Sequence, residues 1–122
     1  MKRRMNNKSN IRLLDLIHTL KAASRENEVS IWRDIATRLE GPGKNYAEVN
    51  VSKINRYAGD GETILVPGKV LGSGLLEMSV TVAALNFSES ALAKIRGANG
   101  QCMSIEELIR DNPKGSQVRI LR

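Results

Sequence analysis

Glu62-Thr63-Ile64-Leu65-Val66-Pro67-Gly68-Lys69-Val70-Leu71-Gly72-Ser73-Gly74, with Val80-Thr81-Val82-Ala83-Ala84-Leu85 close behind, decides how the chain folds. Thr63 to Val66 is β-branched or apolar throughout, which predicts a short, largely buried strand. Val66-Pro67-Gly68-Lys69 carries turn chemistry. Proline presets φ at the second turn position, and glycine accepts the positive φ of a type II turn at the third. Val70 and Leu71 resume an apolar course, which Gly72 and Gly74 interrupt. Glycines so placed predict a bulge or a close approach of the backbone to another group. That group is protein core, a small phosphate or a polynucleotide. Lys69 sits on the turn itself.

On the N-terminal side, Asn50 is a candidate N-cap for a helix through Ala58, with Val51, Ile54 and Ala58 on one face and Lys53 and Arg56 on the other. Gly59-Asp60-Gly61 ends it. Five of the ten glycines fall between residues 59 and 74, so special backbone geometry concentrates there. Tyr46 to Val49 reads as a short extended piece, and Gly41-Pro42-Gly43-Lys44-Asn45 as a helix-breaking turn. Upstream, Ser30 caps a short helix with Ile31, Ile35, Ala36 and Leu39 inward, Arg33 and Arg38 outward, and Trp32 packed beside the stripe. A longer helix precedes it, capped by Asn10 and ending near Arg25 to Asn27. Its Leu13, Leu16, Ile17, Leu20 and Ala23 recur at spacings of three and four. The long gap over residues 40–50 speaks against a DNA-binding helix-turn-helix, which needs a turn of about three or four residues.

On the C-terminal side, Ser88 caps a helix through about Gly97, with Phe87 as a staple onto Leu92. Gln101 to Met103 is a short extended link. Ser104-Ile105-Glu106-Glu107 fits a capping box, and Met103 can pack on Leu108. Pro113-Lys114-Gly115-Ser116 is a turn. Gln117 to Arg122 alternates, which predicts a last strand with Val118 and Ile120 on one face and Arg119 and Leu121 on the other. The fold class is therefore α/β: a single small domain over residues 10–122, with short strands alternating with capped helices. Residues 1–9 form a basic N-terminal arm, with Lys2, Arg3, Arg4 and Lys8 and no acid.

At 122 residues and 41% hydrophobic content the chain supports one modest core. Cys102 stands alone, which excludes an internal disulfide and a cysteine zinc cluster. No apolar run reaches membrane-spanning length, and no signal-type segment follows the basic N-terminus, so an intracellular, soluble protein is expected. Net charge is +6, and its distribution is uneven. Residues 1–58 hold 12 Lys/Arg against 6 Asp/Glu, whereas residues 59–122 hold 7 against 7. A one-sided basic charge favours a polyanionic partner, because each neutralised phosphate releases counterions.

Enzymatic motifs fail residue by residue. Gly68-Lys69 follows a strand as in a phosphate-binding P-loop, but Thr63 stands where the first glycine belongs and Val70 replaces the Ser or Thr. Gly72-Ser73-Gly74 opens a dinucleotide fingerprint that Glu77 breaks. Ser73, Ser79 and Cys102 lack a base in context, since His18 is the only histidine and has no acid–nucleophile pattern around it. No ligands cluster for a metal. Neither catalytic residues nor a metal or other cofactor is expected. The cations are more productive. Lys2, Arg3, Arg4, Lys8, Arg12, Lys44, Lys53, Arg56 and Lys69 could surround one surface, with backbone N–H groups of Gly68, Gly72 and Gly74 adding phosphate contacts. Few aromatics are available for base stacking, so a folded, phosphate-dense RNA read by shape fits better than a single strand read by sequence.

Val66-Pro67-Gly68-Lys69-Val70-Leu71-Gly72-Ser73-Gly74, with Val80-Thr81-Val82-Ala83-Ala84 after it, resembles the archaeal and eukaryotic large-subunit ribosomal proteins of the L-eighteen-e family. Ala47-Glu48-Val49-Asn50, Ile54, Tyr57, Phe87 and Asn112-Pro113-Lys114-Gly115-Ser116-Gln117-Val118-Arg119 extend the likeness from about Ile11 to the last residue. The family is similar in fold to the C-terminal part of bacterial ribosomal protein L-fifteen. The resemblance implies an irregular layered α/β fold and a non-catalytic structural constituent of the large ribosomal subunit in the cytoplasm. It further implies large-subunit ribosomal RNA and neighbouring ribosomal proteins as partners, without membrane or small-molecule substrate. The short length looks archaeal. Lys44, Lys53, Arg56 and Lys69 fall within the matched region. The alternative is a DNA-binding or chromatin-type regulator using the arm and the helices.

Overall fold

The structure, a computed structural model, describes residues 2–122; the side chains of residues 2–10 and of Asn45 lie outside the description. In chain order the elements are α1 (Lys2–Asn27), α2 (Ile31–Glu40), a single 3-10 turn (Gly43–Asn45), β1 (Ala47–Asn50), α3 (Val51–Tyr57) and β2 (Thr63–Leu71). Then come β3 (Thr81–Phe87), α4 (Glu89–Gly97), β4 (Gln101–Ser104), α5 (Ile105–Asp111) and β5 (Val118–Ile120). Every strand pairing is parallel. β2 is the hub: β3 takes one edge and is flanked in turn by β4, while β5 and β1 share the other edge end to end.

A parallel sheet is covered on both faces, so its central strands read as unbroken apolar runs. Side-chain alternation then deals successive residues to two cores. Leu65 and Ala83 pack with Leu16, Leu20, Trp32, Ile35, Leu39, Ile105 and Leu108 under α1, α2 and α5. Ile64, Val66, Val82 and Ala84 pack with Val51, Ile54, Ala91 and Ile95 under α3 and α4. β5 and the residue after it show the same division, Val118 and Ile120 joining the first core and Leu121 the second. Trp32 is fully buried, and its Nε1 donates to the Pro113 carbonyl at 2.7 Å, so it is a packing residue.

The expected turn at Val66–Lys69 is not there; β2 runs unbroken through it. Val66 faces Ala84 and Lys69 faces Asn86, so β2 carries one extra residue against β3, a bulge. On the other edge the β5 pairing stops at Leu65 and the β1 pairing starts at Gly68. Pro67 thus falls where neither edge asks for an N–H, which is why a proline is tolerated in the central strand. Gly68 is required by its neighbour: a Cβ there would collide with the backbone of Ala47 in β1.

Between β2 and β3, residues 72–80 form a strap with no helix, running back along the α3–α4 face. Backbone N–H groups of Ser73, Glu77 and Ser79 donate to Asn50 Oδ1, Asn55 Oδ1 and Asp60 Oδ1 at 3.1, 3.0 and 2.9 Å. The helix caps divide accordingly. Ser88 and Ser104 cap α4 and α5 as expected, the latter in a full capping box with Glu107. Asn50 makes no cap bond because its amide serves the strap, and Ser30 makes none because its backbone is already helical. Asn10 is interior to α1, whose backbone is helical from Lys2 onward, so it is not a cap.

Candidate nucleic-acid interface

Near the C-terminal end of β2, Lys69 stands exposed beside Lys44, which the 3-10 turn presents from the adjoining segment. Val70 points into the core under α3 and α4, so its neighbour Lys69 points to the opposite side. The two lysines line one concavity of about 360 Å³ with Tyr46, Glu48, Gly68 and Asn86. Glu48 is in register with Lys69, yet no ion pair joins them among the described residues, and neither lysine has a hydrogen-bond acceptor there. Tyr46 forms a wall of the hollow, its hydroxyl donating to the Leu39 carbonyl at 2.7 Å. Partial burial raises its phenol above the ordinary value.

The other cations of the sequence-derived set are placed differently. Arg12 reaches the Leu85 margin of the same concavity but is engaged: Nε and Nη2 lie 3.2 and 3.3 Å from the Glu106 carboxylate, and Nη1 donates to the Leu85 carbonyl. It ties α1 to the first turn of α5. Lys53 donates to the Arg122 carbonyl at 2.5 Å, and Arg56 is exposed near the end of α3. The side chains of Lys2, Arg3, Arg4 and Lys8 lie outside the described residues.

The glycines answer the question the sequence left open. What approaches them is protein. A Cβ on Gly72 would strike Ser90 at the start of α4, and one on Gly74 would strike Ser52 in α3. Gly74 also has φ of +94°, which L side chains rarely adopt. Lys94, unremarked in the sequence, closes the strap from α4: its Nζ donates to the Gly72 and Gly74 carbonyls at 2.6 and 2.7 Å.

Two arginines were also missed. Arg38 was expected to face outward, but its side chain is only 28% exposed, because α2 turns it toward the junction of β1 and β5. There it lines a second hollow with Tyr46, Ala47, Pro67 and Arg122. No local sequence signal marks either residue, since their neighbourhood is created by β5 meeting β1 on one edge of β2. Among the aromatics, Tyr57 alone is more than half exposed, at 51%. Stacking surface is correspondingly scarce.

No helix of the described residues is long and apolar enough to cross a membrane, and no group of three or more potential metal ligands is found among them. The architecture is thus a doubly covered parallel sheet that gathers exposed lysines at one rim. Comparison with known proteins assigns the family. The model described as ribosomal protein 60S L18 and 50S L18e matches residues 1–122, and the chain belongs to that family. It is 71% identical over 115 residues to the large ribosomal subunit protein eL18 of Methanoregula boonei, covering 94% of this chain and 95% of the relative. The protein of that name from Methanospirillum hungatei is 68% identical over 119 residues, 98% of each chain. The one from Archaeoglobus fulgidus is 54% identical over 114 residues, covering 93% of this chain and 97% of the relative.

Proposed function

We propose that the protein is a structural, non-catalytic constituent of the archaeal-type large ribosomal subunit that binds large-subunit ribosomal RNA by phosphate neutralisation. Family membership over residues 1–122 carries the ribosomal part of this reading. The RNA part draws on Lys44 and Lys69, which share one concavity with Glu48 and form no ion pair among the described residues. An exposed ammonium without a partner is available to a phosphate, whereas Arg12 would first have to leave Glu106. Lys2, Arg3, Arg4, Lys8 and Arg56 extend the cationic surface. Lys53 contributes charge while holding the Arg122 carbonyl. Gly68 supports the site by letting β1 close on β2, and Gly72 and Gly74 by seating the strap. Neighbouring ribosomal proteins are secondary partners, and the ribosome places the chain in the cytoplasm.

The DNA-binding alternative finds no favouring observation. The exposed side of α2, the helix that would have to enter a groove, carries Asp34 and Glu40 beside Arg33. Sedimentation of native lysate through sucrose at low and moderate monovalent salt tests the proposal. Co-sedimentation with the large subunit at both salts is expected; a chain that stays at the top of the gradient or follows DNA defeats it.

A further inference from the structure

The second hollow borders the first. Both are lined by Tyr46 and Ala47, one opening toward Lys44 and Lys69, the other toward Arg38 and Arg122. The start of β1 is therefore a ridge between two hollows, one carrying Lys44, Lys69 and Glu48, the other Arg38 and Arg122. Lys53 lies alongside through its bond to the Arg122 main-chain oxygen.

Arg38 is poorly compensated. Its Nε is buried without a hydrogen-bond partner among the described residues, although buried donors are as a rule paired. Its one carboxylate, Asp34, stands 3.6 Å from Nη2 and is itself 55% exposed, so water shares its charge. A guanidinium that is partly desolvated, loosely paired and beside a second arginine favours a further anion. The hollow also lies beside the unpaired stretch of the β2 edge at Pro67, which contributes no N–H. Arg38 and Arg122 are the lining residues that carry a guanidinium, whose planar donors match phosphate oxygens.

We infer that Arg38 and Arg122 form a backbone-phosphate subsite for RNA, continuing the Lys44–Lys69 surface across the Tyr46–Ala47 ridge. This rests on the ribosomal-RNA reading above and adds a position to it.

The test measures binding of the full chain to purified large-subunit ribosomal RNA across a potassium chloride series. Variants are Arg38→Gln, Arg122→Gln and their double, with Lys44→Ala/Lys69→Ala as the reference pair. Arg122→Gln alters an exposed side chain and protects the test against misfolding of Arg38→Gln, which thermal melts monitor. The expected result is roughly a tenfold loss of affinity for the double variant and a salt slope shallower by about 1, as for one phosphate contact. Arg38→Lys should recover part of the affinity and the slope. Unchanged affinity and slope in the arginine variants, with loss in the lysine pair, would overturn the subsite and leave the RNA reading standing. Absence of salt-dependent binding by the unaltered chain would overturn both. A second arm titrates inorganic phosphate while following the arginine Nε–H resonances by NMR. Saturation by millimolar phosphate with no arginine effect on RNA binding would make the hollow a small-anion pocket and refute the assignment to RNA.

Discussion

Two regions of this molecule have nearly the same composition and opposite uses. The strap around Gly72 and Gly74 and the rim around Gly68 and Lys69 both combine glycine with a nearby lysine. In the strap the lysine is spent internally, Lys94 donating to two carbonyls, and side-chain acceptors take the backbone N–H groups. At the rim Gly68 is consumed by contact with Ala47, yet Lys44 and Lys69 are left without acceptors among the described residues. Glycine beside lysine therefore does not by itself mark a phosphate site. What marks one is the hydrogen-bond balance after folding: a cation whose donors are already accepted holds structure, and one whose donors are open can hold a ligand.

Substitutions in the two regions should separate cleanly. Gly68→Ala has the largest expected effect, because the added carbon meets backbone and cannot be relieved by a rotamer change. A loss of about 3 kcal/mol is expected, read as a lower urea midpoint at unchanged slope. A midpoint equal to that of the parent chain would mean that β1 does not lie as close to β2 as described. Lys94→Met should cost about 1 kcal/mol, its exposure keeping it at the low end for charge-assisted bonds, and leave RNA affinity unaltered. Lys44→Ala/Lys69→Ala should do the reverse: stability within about 0.5 kcal/mol of the parent, and a salt slope of RNA binding shallower by about 1.5. If Lys94→Met weakened RNA binding without unfolding the chain, the division between structural and binding lysines would be wrong.

What the sequence disclosed follows from how local each decision is. Ser88 and Ser104 cap as read because acceptor and donor lie three residues apart. The stripe of Leu16, Ile17, Leu20 and Ala23 is buried for the same local reason. Pro67-Gly68 misled because its turn propensity was overridden by three neighbouring strands, none visible from within the tetrapeptide. Asn50 misled because the donor it serves, Ser73, is 23 residues away. Among the candidate site residues, Lys44 and Lys69 were legible as cations, although the turn expected to carry Lys69 is strand β2. The place of Arg38 was not legible, since its burial depends on where β5 docks. The contrast among the caps can itself be measured: Ser88→Ala should cost about 1 kcal/mol, whereas Ser30→Ala should cost only a few tenths. Equal losses would show that Ser30 caps α2 in solution.

The smallest effect expected is that of acid, and it acts at the end of β2 remote from Lys69. The Glu62 carboxyl is held below its ordinary value, first by the Gly59 backbone N–H at 2.8 Å and then by the Arg119 guanidinium at 3.0 Å. Glu107 is likewise lowered, first by the backbone N–H of Ser104. A carboxylate with a depressed folded value stabilises the chain above its unfolded value, about 4.3 for glutamate, and loses that contribution as pH falls through the folded value. Glu107 is exposed and Glu62 only partly covered, so solvent screens both and the change is modest. The melting temperature should stay level from pH 7 to about 5.5 and decline below about 4, with Glu62→Gln giving a shallower decline. A decline that Glu62→Gln leaves as steep as before would mean that the Gly59 and Arg119 contacts do not hold that carboxyl down in solution.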